Sequence, residues 1–568
     1  MDSLGTAAPP PARARGTLRT SVLVIGGGIN GASVFRDLSL QGVDVLLVER
    51  DDISSGASAA SSHMVHGGLR YLENGEMRLV QESVRERNSL LYTAPHQVVP
   101  LPTTIPLRRA WPGLLSAPVR VLTHRRGRRT HERGALLAKL GLTLYDSYSG
   151  KGRRMPRHEF AGPTAVRERF PDMDPAIRYA ATYFDASVGQ PERIALELIL
   201  DGAAAHPTSA AFTYTEAVGE TQRGVRVRDR LSGTEATIEA DVVINVSGPW
   251  TDLTNAALGA STAHMGGTKG SHIVVDSPAL LEATRGHEIF FEHPDGRIVL
   301  IYPLHGRVMI GTTDVPADPR EPVRCTEDEV DYFIELVAHV FPDIPVERDQ
   351  IVYRFAGIRP LPRTDGAAPG ELSRDYRLEQ RTDASGRLRI DIVGGKWTTF
   401  RALGERVTDA VLEHQGEGRR RHTLHEPIGG GKRYPRTGDD REEWMLKRLG
   451  TLPEGRRRVL FARYGTRAQE VAAYVSTGFD VAIAGERLST REVEFLVERE
   501  HARRVTDVVQ RRTSLAFTGA LSREIIEKVA AAMGGPLEWD DARVADEVEA
   551  CVAVLEGSHG ARVSQACA

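Results

Sequence analysis

An apolar run, Ser21–Ile25, breaks at Gly26-Gly27-Gly28-Ile29-Asn30-Gly31, continues as a helical stretch from about Asn30 to Gln41, and returns to an apolar run, Val43–Val48, that ends at Glu49. Two apolar strands joined by one helix predict a βαβ unit, because parallel strands cannot be joined by a tight turn. The glycines fit G-x-G-x-x-G. Gly26 permits the turn, Gly28 lets the backbone approach a pyrophosphate, and Gly31 lets helix and strand pack closely. The helix N-terminus offers unpaired N–H groups and the positive end of a dipole to phosphate oxygens. Glu49 can accept hydrogen bonds from ribose hydroxyls and would repel a 2′-phosphate, so NADP is disfavoured. A dinucleotide-binding, doubly wound α/β domain is the expectation.

Three further segments favour FAD over NAD. The stretch 54–62 is built of Ser, Ala and one Gly. Its small, hydroxyl-bearing residues, Ser61 and Ser62 among them, suit a loop lying close against a flavin's ribityl and phosphate oxygens. Asn245-Val246-Ser247-Gly248-Pro249-Trp250 ends a strand with glycine where backbone can lie against a cofactor, which makes Gly248 and Trp250 candidate contacts. Gly394-Gly395-Lys396-Trp397-Thr398-Thr399 follows another short apolar run, and Thr398 or Thr399 could start a helix whose amides stabilise negative charge on a reduced flavin.

Length and composition bound the rest. A chain of 568 residues exceeds one ordinary core and predicts two or three domains. A formal charge of −3 argues against nucleic-acid binding by overall charge. Cys325, Cys551 and Cys567 have neither CxxC nor disulfide-framework spacing, which suits a reducing cytoplasm. No stretch approaches the ~18 apolar residues of a membrane helix, and no metal site is expected. Residues 1–19 read as a flexible tail and 20–428 as the oxidoreductase core. Within that core the flavin domain is discontinuous, and a β-rich substrate domain is inserted mainly at about 96–165 and 263–355. Beyond Gly429-Gly430-Gly431, residues 429–568 read as a separate helical domain, with a Ser489/Glu492 capping box opening a long helix to about Thr513. The fold class expected is α/β, α+β overall. Arginines crowd residues 120–133; a solvated loop is the favoured reading, a contact with anionic lipid headgroups the alternative.

The strings IGGGINGA, SSHMVHGGLRYLE, KGSHIVV, IGTTDV, GIRPL, SRDY and GGKWTTFR, with EHARRVTDVVQRRT near the end, resemble in order those of FAD-dependent glycerol-3-phosphate dehydrogenases, in the D-amino-acid-oxidase-like flavoprotein superfamily. The resemblance covers about residues 20–520. It implies oxidation of sn-glycerol 3-phosphate to dihydroxyacetone phosphate, with electrons passed to a quinone at a membrane surface. That acceptor implies peripheral association with the inner face of the membrane for an otherwise cytoplasmic protein; a homodimer is an open alternative that the sequence does not decide. Arg70, Tyr71, Thr313 and Arg374 would surround the substrate, with His66, Arg359 and Lys396 catalytic. Arginine suits a phosphate dianion through its planar, always-charged fork. His66 is the natural base by intrinsic pKa; whether Arg359 or Lys396 mediates the proton transfer stays open at this level. The chain departs from the family pattern at His63, where a longer basic residue is expected, and at Trp397, where an aliphatic one is. Rival readings are an amino-acid or hydroxy-acid oxidase on the same fold, a glycerol-3-phosphate oxidase using oxygen, and a non-catalytic FAD-binding protein.

Overall fold

The computed structural model describes residues 17–68, 76–108, 155–293, 297–363, 375–383 and 386–563. Arg70, Tyr71, Arg374, Cys567 and the arginine-rich stretch 120–133 lie outside the described residues.

Val22, Leu23 and Val24 are wholly buried, as a parallel strand covered on both faces requires. Their strand, Thr17–Ile25, lies between Glu235–Asn245 and Val45–Val48 and is parallel to both. Residues 17–19, expected in the tail, instead pair with Thr237, Ile238 and Glu239; their polar character reflects a half-exposed strand end and not disorder. This sheet, of eight strands among the described residues, has the spine Arg377–Thr382, Leu388–Val393, Glu235–Asn245, Thr17–Ile25, Val45–Val48, Ala210–Phe212. From Thr17–Ile25 the chain steps outward through the next two strands of the spine, then returns to lay Glu235–Asn245 on the other side. The order therefore reverses between Thr17–Ile25 and Glu235–Asn245, and a ligand crevice forms beyond the carboxyl ends of strands at such a reversal. The helices Ile29–Leu40, Pro191–Ala205 and Phe400–Gln415 pack together beside this sheet.

A second, mainly antiparallel sheet has ten strands among the described residues, drawn from 64–65, 98–107, 159–161, 179–188, 265–316 and 351–362. Ile298–Leu304 and Arg307–Gly311 form the expected hairpin. His305 and Gly306 have φ of 53° and 73°, the positive pair of a two-residue turn whose twist suits a hairpin. One face of this sheet packs on the helix Glu327–Val340. The other contributes Leu101, Val274, Leu300, Met309 and Phe355 to a core shared with the C-terminal helices through Leu496, Val505 and Val508. The C-terminal region thus shares its core with the sheet.

The long helix expected from Ser489 to Thr513 is two pieces, an α-helix Thr490–Arg499 and a π-helical turn Asp507–Arg512. The capping box does not form. Ser489 Oγ accepts a hydrogen bond from Arg456, and the Glu492 carboxylate is drawn inward to Arg456, Arg463 and Tyr464. The break falls at Glu500, whose carboxylate is held by Arg193 at 2.7 Å, and at His501 with φ 60°. Buried ion pairing outcompeted local helix signals here.

Candidate active site

The glycine turn has the geometry its spacing implies. Gly26 sits at φ 119°, and a Cβ there would lie 2.6 Å from the Val246 carbonyl oxygen; a Cβ on Gly31 would lie 1.9 Å from the Gly26 carbonyl oxygen. Gly28 is different. A Cβ there would meet only Ser58 Oγ, at 3.0 Å. That hydroxyl accepts from the Ile29 N–H at 2.9 Å, so an oxygen already faces the first amide of the helix. Glu49, at the end of the next strand, accepts from the N–H groups of Gly27 (2.6 Å) and Asp51 (3.0 Å), which fixes its carboxylate beside the turn.

A cavity of about 480 Å³ opens at the strand-order reversal, lined by Gly26, Gly28, Glu49, Gly248, Trp250 and Ile358 among others. Trp250 is oriented by its indole N–H, which donates to the Pro319 carbonyl, and by the Arg50 guanidinium over its ring. Near the helix N-terminus, Gly394 and Gly395 have φ of 84° and 107°, and a Cβ on Gly395 would lie 2.8 Å from Asn30 Nδ2. Lys396 precedes a 3₁₀ turn, Trp397–Thr399, and Thr399 is the N-cap of Phe400–Gln415. Thr398 and Thr399 are buried. Asn30 Oδ1, Trp397 Nε1 and Thr399 Oγ1 are buried without a hydrogen-bonding partner among the described residues, and unsatisfied groups of that kind cost free energy unless a ligand meets them. Backbone stripped of Cβ atoms, aimed helix amides and buried polar atoms awaiting partners together fit a dinucleotide with a polar ring system.

The candidate substrate residues fall in two groups, and Thr313, Arg359, Lys396 and His66 are not among the residues that line this cavity. On the strand Ile351–Pro362, Arg359 donates to Asp314 Oδ1 (3.0 Å), Thr312 Oγ1 (2.9 Å) and the Thr313 carbonyl (2.8 Å). The guanidinium lies across Gly270, where any Cβ would come within 2.2 Å of it. Thr313 and Arg359 are therefore brought together, although the Thr313 hydroxyl is spent on Glu329 and on the Ser271 N–H. In the second group, Lys396 is buried and donates to Ser83 Oγ at 3.0 Å. The short strand Met64–Val65, which leads directly to His66, packs against the turn that follows Lys396. The Asp375 carbonyl lies 2.7 Å from where a Gly394 Cβ would stand, bringing the chain beside residue 374 to this group. Ser61 Oγ accepts from the His63 N–H at 3.3 Å.

Sequence reasoning assigned no role to His272, although KGSH was singled out. Its Nε2 hydrogen-bonds Ser62 Oγ at 2.9 Å, and its ring stacks on Phe355 with centroids 4.7 Å apart. It also missed Gln510, Arg511, Phe517 and His559, which line the cavity from the C-terminal region; no local signal marks His559. Burial first, then the nearby Arg359 and His63, push His272 down to about 3, and burial with His305 pushes His63 down to about 4. Both rings are neutral in the folded protein, whereas an unfolded histidine takes up a proton near 6.5. At pH about 5 the unfolded chain therefore binds more protons. The contribution of these rings is complete above about 6.5 and is lost as pH falls toward 4. For His63 the loss is about 3 kcal/mol. His63→Gln should narrow the drop in melting temperature between pH about 7 and about 5; an equal drop in both proteins would remove His63 from that account.

Residues 21–376 match a family described as FAD dependent oxidoreductase, and residues 421–544 match the C-terminal domain of alpha-glycerophosphate oxidase. The chain belongs to the FAD-dependent oxidoreductase family. It is 34% identical to a glycerol-3-phosphate dehydrogenase from Synechocystis over 87% of this chain and 89% of that one. It is 31% identical to a D-erythritol 1-phosphate dehydrogenase from Brucella abortus over 87% and 93%. A glycerol-3-phosphate dehydrogenase from Bacillus halodurans, solved with FAD, shares the fold, with a TM-score of 0.73, 23% identity and 95% coverage of both chains. The chain is thus a flavoenzyme with FAD as its cofactor, grouped with the FAD-dependent glycerol-3-phosphate dehydrogenases. Among the described residues no helix is long and apolar enough to cross a membrane.

Proposed function

We propose that this flavoenzyme oxidises sn-glycerol 3-phosphate at C2 to dihydroxyacetone phosphate and passes the electrons to a quinone at a membrane surface. The observation that carries the reading is Arg359. Its guanidinium is held by a carboxylate, a hydroxyl and a carbonyl on a strand whose adjoining residues, Ile358 and Pro360, line the cofactor cavity. A fork so fixed suits an anionic, oxygen-rich substrate, and the relatives named above act on polyol phosphates by their names. The family resemblance assigns substrate binding to Arg70, Tyr71 and Arg374 as well. Bound FAD supplies the acceptor for the hydride that leaves C2. His66 takes the hydroxyl proton, and Lys396 and Arg359 favour the developing alkoxide by charge. The quinone acceptor and the membrane surface rest on the family resemblance.

A longer polyol phosphate is the second reading, favoured by the Brucella relative. One anaerobic titration separates the readings. Glycerol 3-phosphate should bleach the flavin, while glycerol and a D-amino acid leave it oxidised. Faster bleaching by erythritol 1-phosphate would move the assignment to that substrate, and bleaching by the amino acid alone would overturn it. Adding a soluble quinone or oxygen to the reduced protein then identifies the acceptor.

A further inference from the structure

The C-terminal region reaches the cofactor cavity through a largely buried ion cluster whose Arg511 lines the cavity. Asp52 accepts from Arg511 Nε at 2.6 Å and from both terminal nitrogens of Arg512 at 2.8 Å. The Asp52 carboxylate and the Arg512 side chain are essentially inaccessible to solvent. Arg511 also pairs with Asp507 at 2.6 Å, which in turn accepts from the Tyr214 hydroxyl at 2.7 Å. Arg512 donates again to the Glu500 carbonyl at 2.8 Å, next to the carboxylate that Arg193 holds.

Asp52 is also the root of the loop that lines the cavity from Ser54 to Ala60. That loop consists of turns, with no helix or strand between Val48 and Met64. Short contacts tie it to the core. The Ser54 N–H donates to the Gly27 carbonyl, Ser58 Oγ accepts from the Ile29 N–H, and Ile53 is buried. Beyond the glycine turn the loop touches Trp250 at Gly56, and Gly357 and the core of the C-terminal helices at Ala60. Small residues supply little packing of their own, so the conformation of the loop depends on what holds Asp52.

We propose that Arg511 and Arg512 are positioning residues for FAD: by clamping Asp52 they hold loop 52–60 in the shape that closes the cofactor cavity, so that docking of the C-terminal helices and binding of FAD are coupled. Coupling of this kind is reciprocal, and a bound cofactor must strengthen the docking by the same factor. Removing one member of a buried pair leaves the other charge uncompensated, so the clamp cannot be lost silently. The inference is independent of which alcohol is oxidised.

The test uses the full chain, stripped of FAD and titrated with it by flavin fluorescence, together with hydrogen exchange of the amides in residues 53–60. Asp52→Asn should weaken FAD binding at least tenfold and speed exchange in the loop. Arg511→Gln, which leaves Arg512 on Asp52, should show a smaller change in the same direction. Arg456→Lys disturbs a buried pair with Glu492 inside the C-terminal helices, away from the loop; it should lower the melting temperature without changing FAD affinity. The proposal is overturned if Asp52→Asn lowers the melting temperature but leaves affinity and loop exchange as in the wild type. It is equally overturned if Arg456→Lys weakens FAD as much as Asp52→Asn does. Should Asp52→Asn fail to fold, Arg511→Gln decides, with unchanged affinity counting against the clamp. A wild-type chain that binds no FAD would instead indict the cofactor assignment.

Discussion

Gly28→Val should give a folded protein with no yellow colour. Gly28 has φ −71° and ψ 177°, which valine can adopt, and an added Cβ meets only the Ser58 hydroxyl, which gives way at the cost of its bond to the Ile29 N–H. The cost to the cofactor-free fold should stay near about 1 kcal/mol. A branched side chain at that N-cap nevertheless projects where an anion must approach the helix amides, and neither the hydrogen bonds nor the dipole can act across it. The ratio of flavin to protein absorbance should fall by more than about tenfold, a loss of about 1.4 kcal/mol or more in binding, while the cofactor-free melting temperature barely moves. Gly31→Val should behave differently. Its Cβ would stand 1.9 Å from the Gly26 carbonyl, so the strand–turn–helix unit itself cannot close and soluble protein should be lost. If Gly28→Val keeps its full flavin, the glycine turn is not the cofactor contact.

Arg359→Lys should lower kcat/KM for glycerol 3-phosphate by about 10²-fold or more, while costing stability only about 1–2 kcal/mol. The charge survives the substitution, but the planar fork does not. One ammonium cannot satisfy the Asp314 carboxylate, the Thr312 hydroxyl and the Thr313 carbonyl in the arrangement seen here and still present a fixed edge to an anion. Steady-state kinetics beside a thermal melt distinguish the two effects. Wild-type kinetics with a lowered melting temperature would make Arg359 a brace for the loop 312–314 and no part of the chemistry.

Much of the nucleotide half was legible in the sequence because its signals are short-range. Gly26 and Gly31 are read from spacing, and the structure shows why each must lack a side chain. The turn His305-Gly306 was legible for the same reason. The contacts of the candidate substrate residues were not legible. Thr313 stands in a string that resembles the family's, yet its hydroxyl is consumed by Glu329, and its carbonyl is what steadies Arg359. The helix predicted from Ser489 forms but ends at Arg499, and without its capping box, because Glu492 and Glu500 are drawn into buried ion pairs with arginines distant in sequence.

The amino-acid sequence by itself determined the strand–glycine turn–helix–strand unit, the acid that follows it, and hence a nucleotide cofactor. Those features depend on backbone sterics and hydrophobic period within about thirty residues. Only the tertiary structure decided which side chains meet. Ser62 reaches His272 across 210 positions and Asp52 reaches Arg512 across 460. Such contacts are set by how two sheets and a helical layer pack together, and no local preference of the chain specifies them.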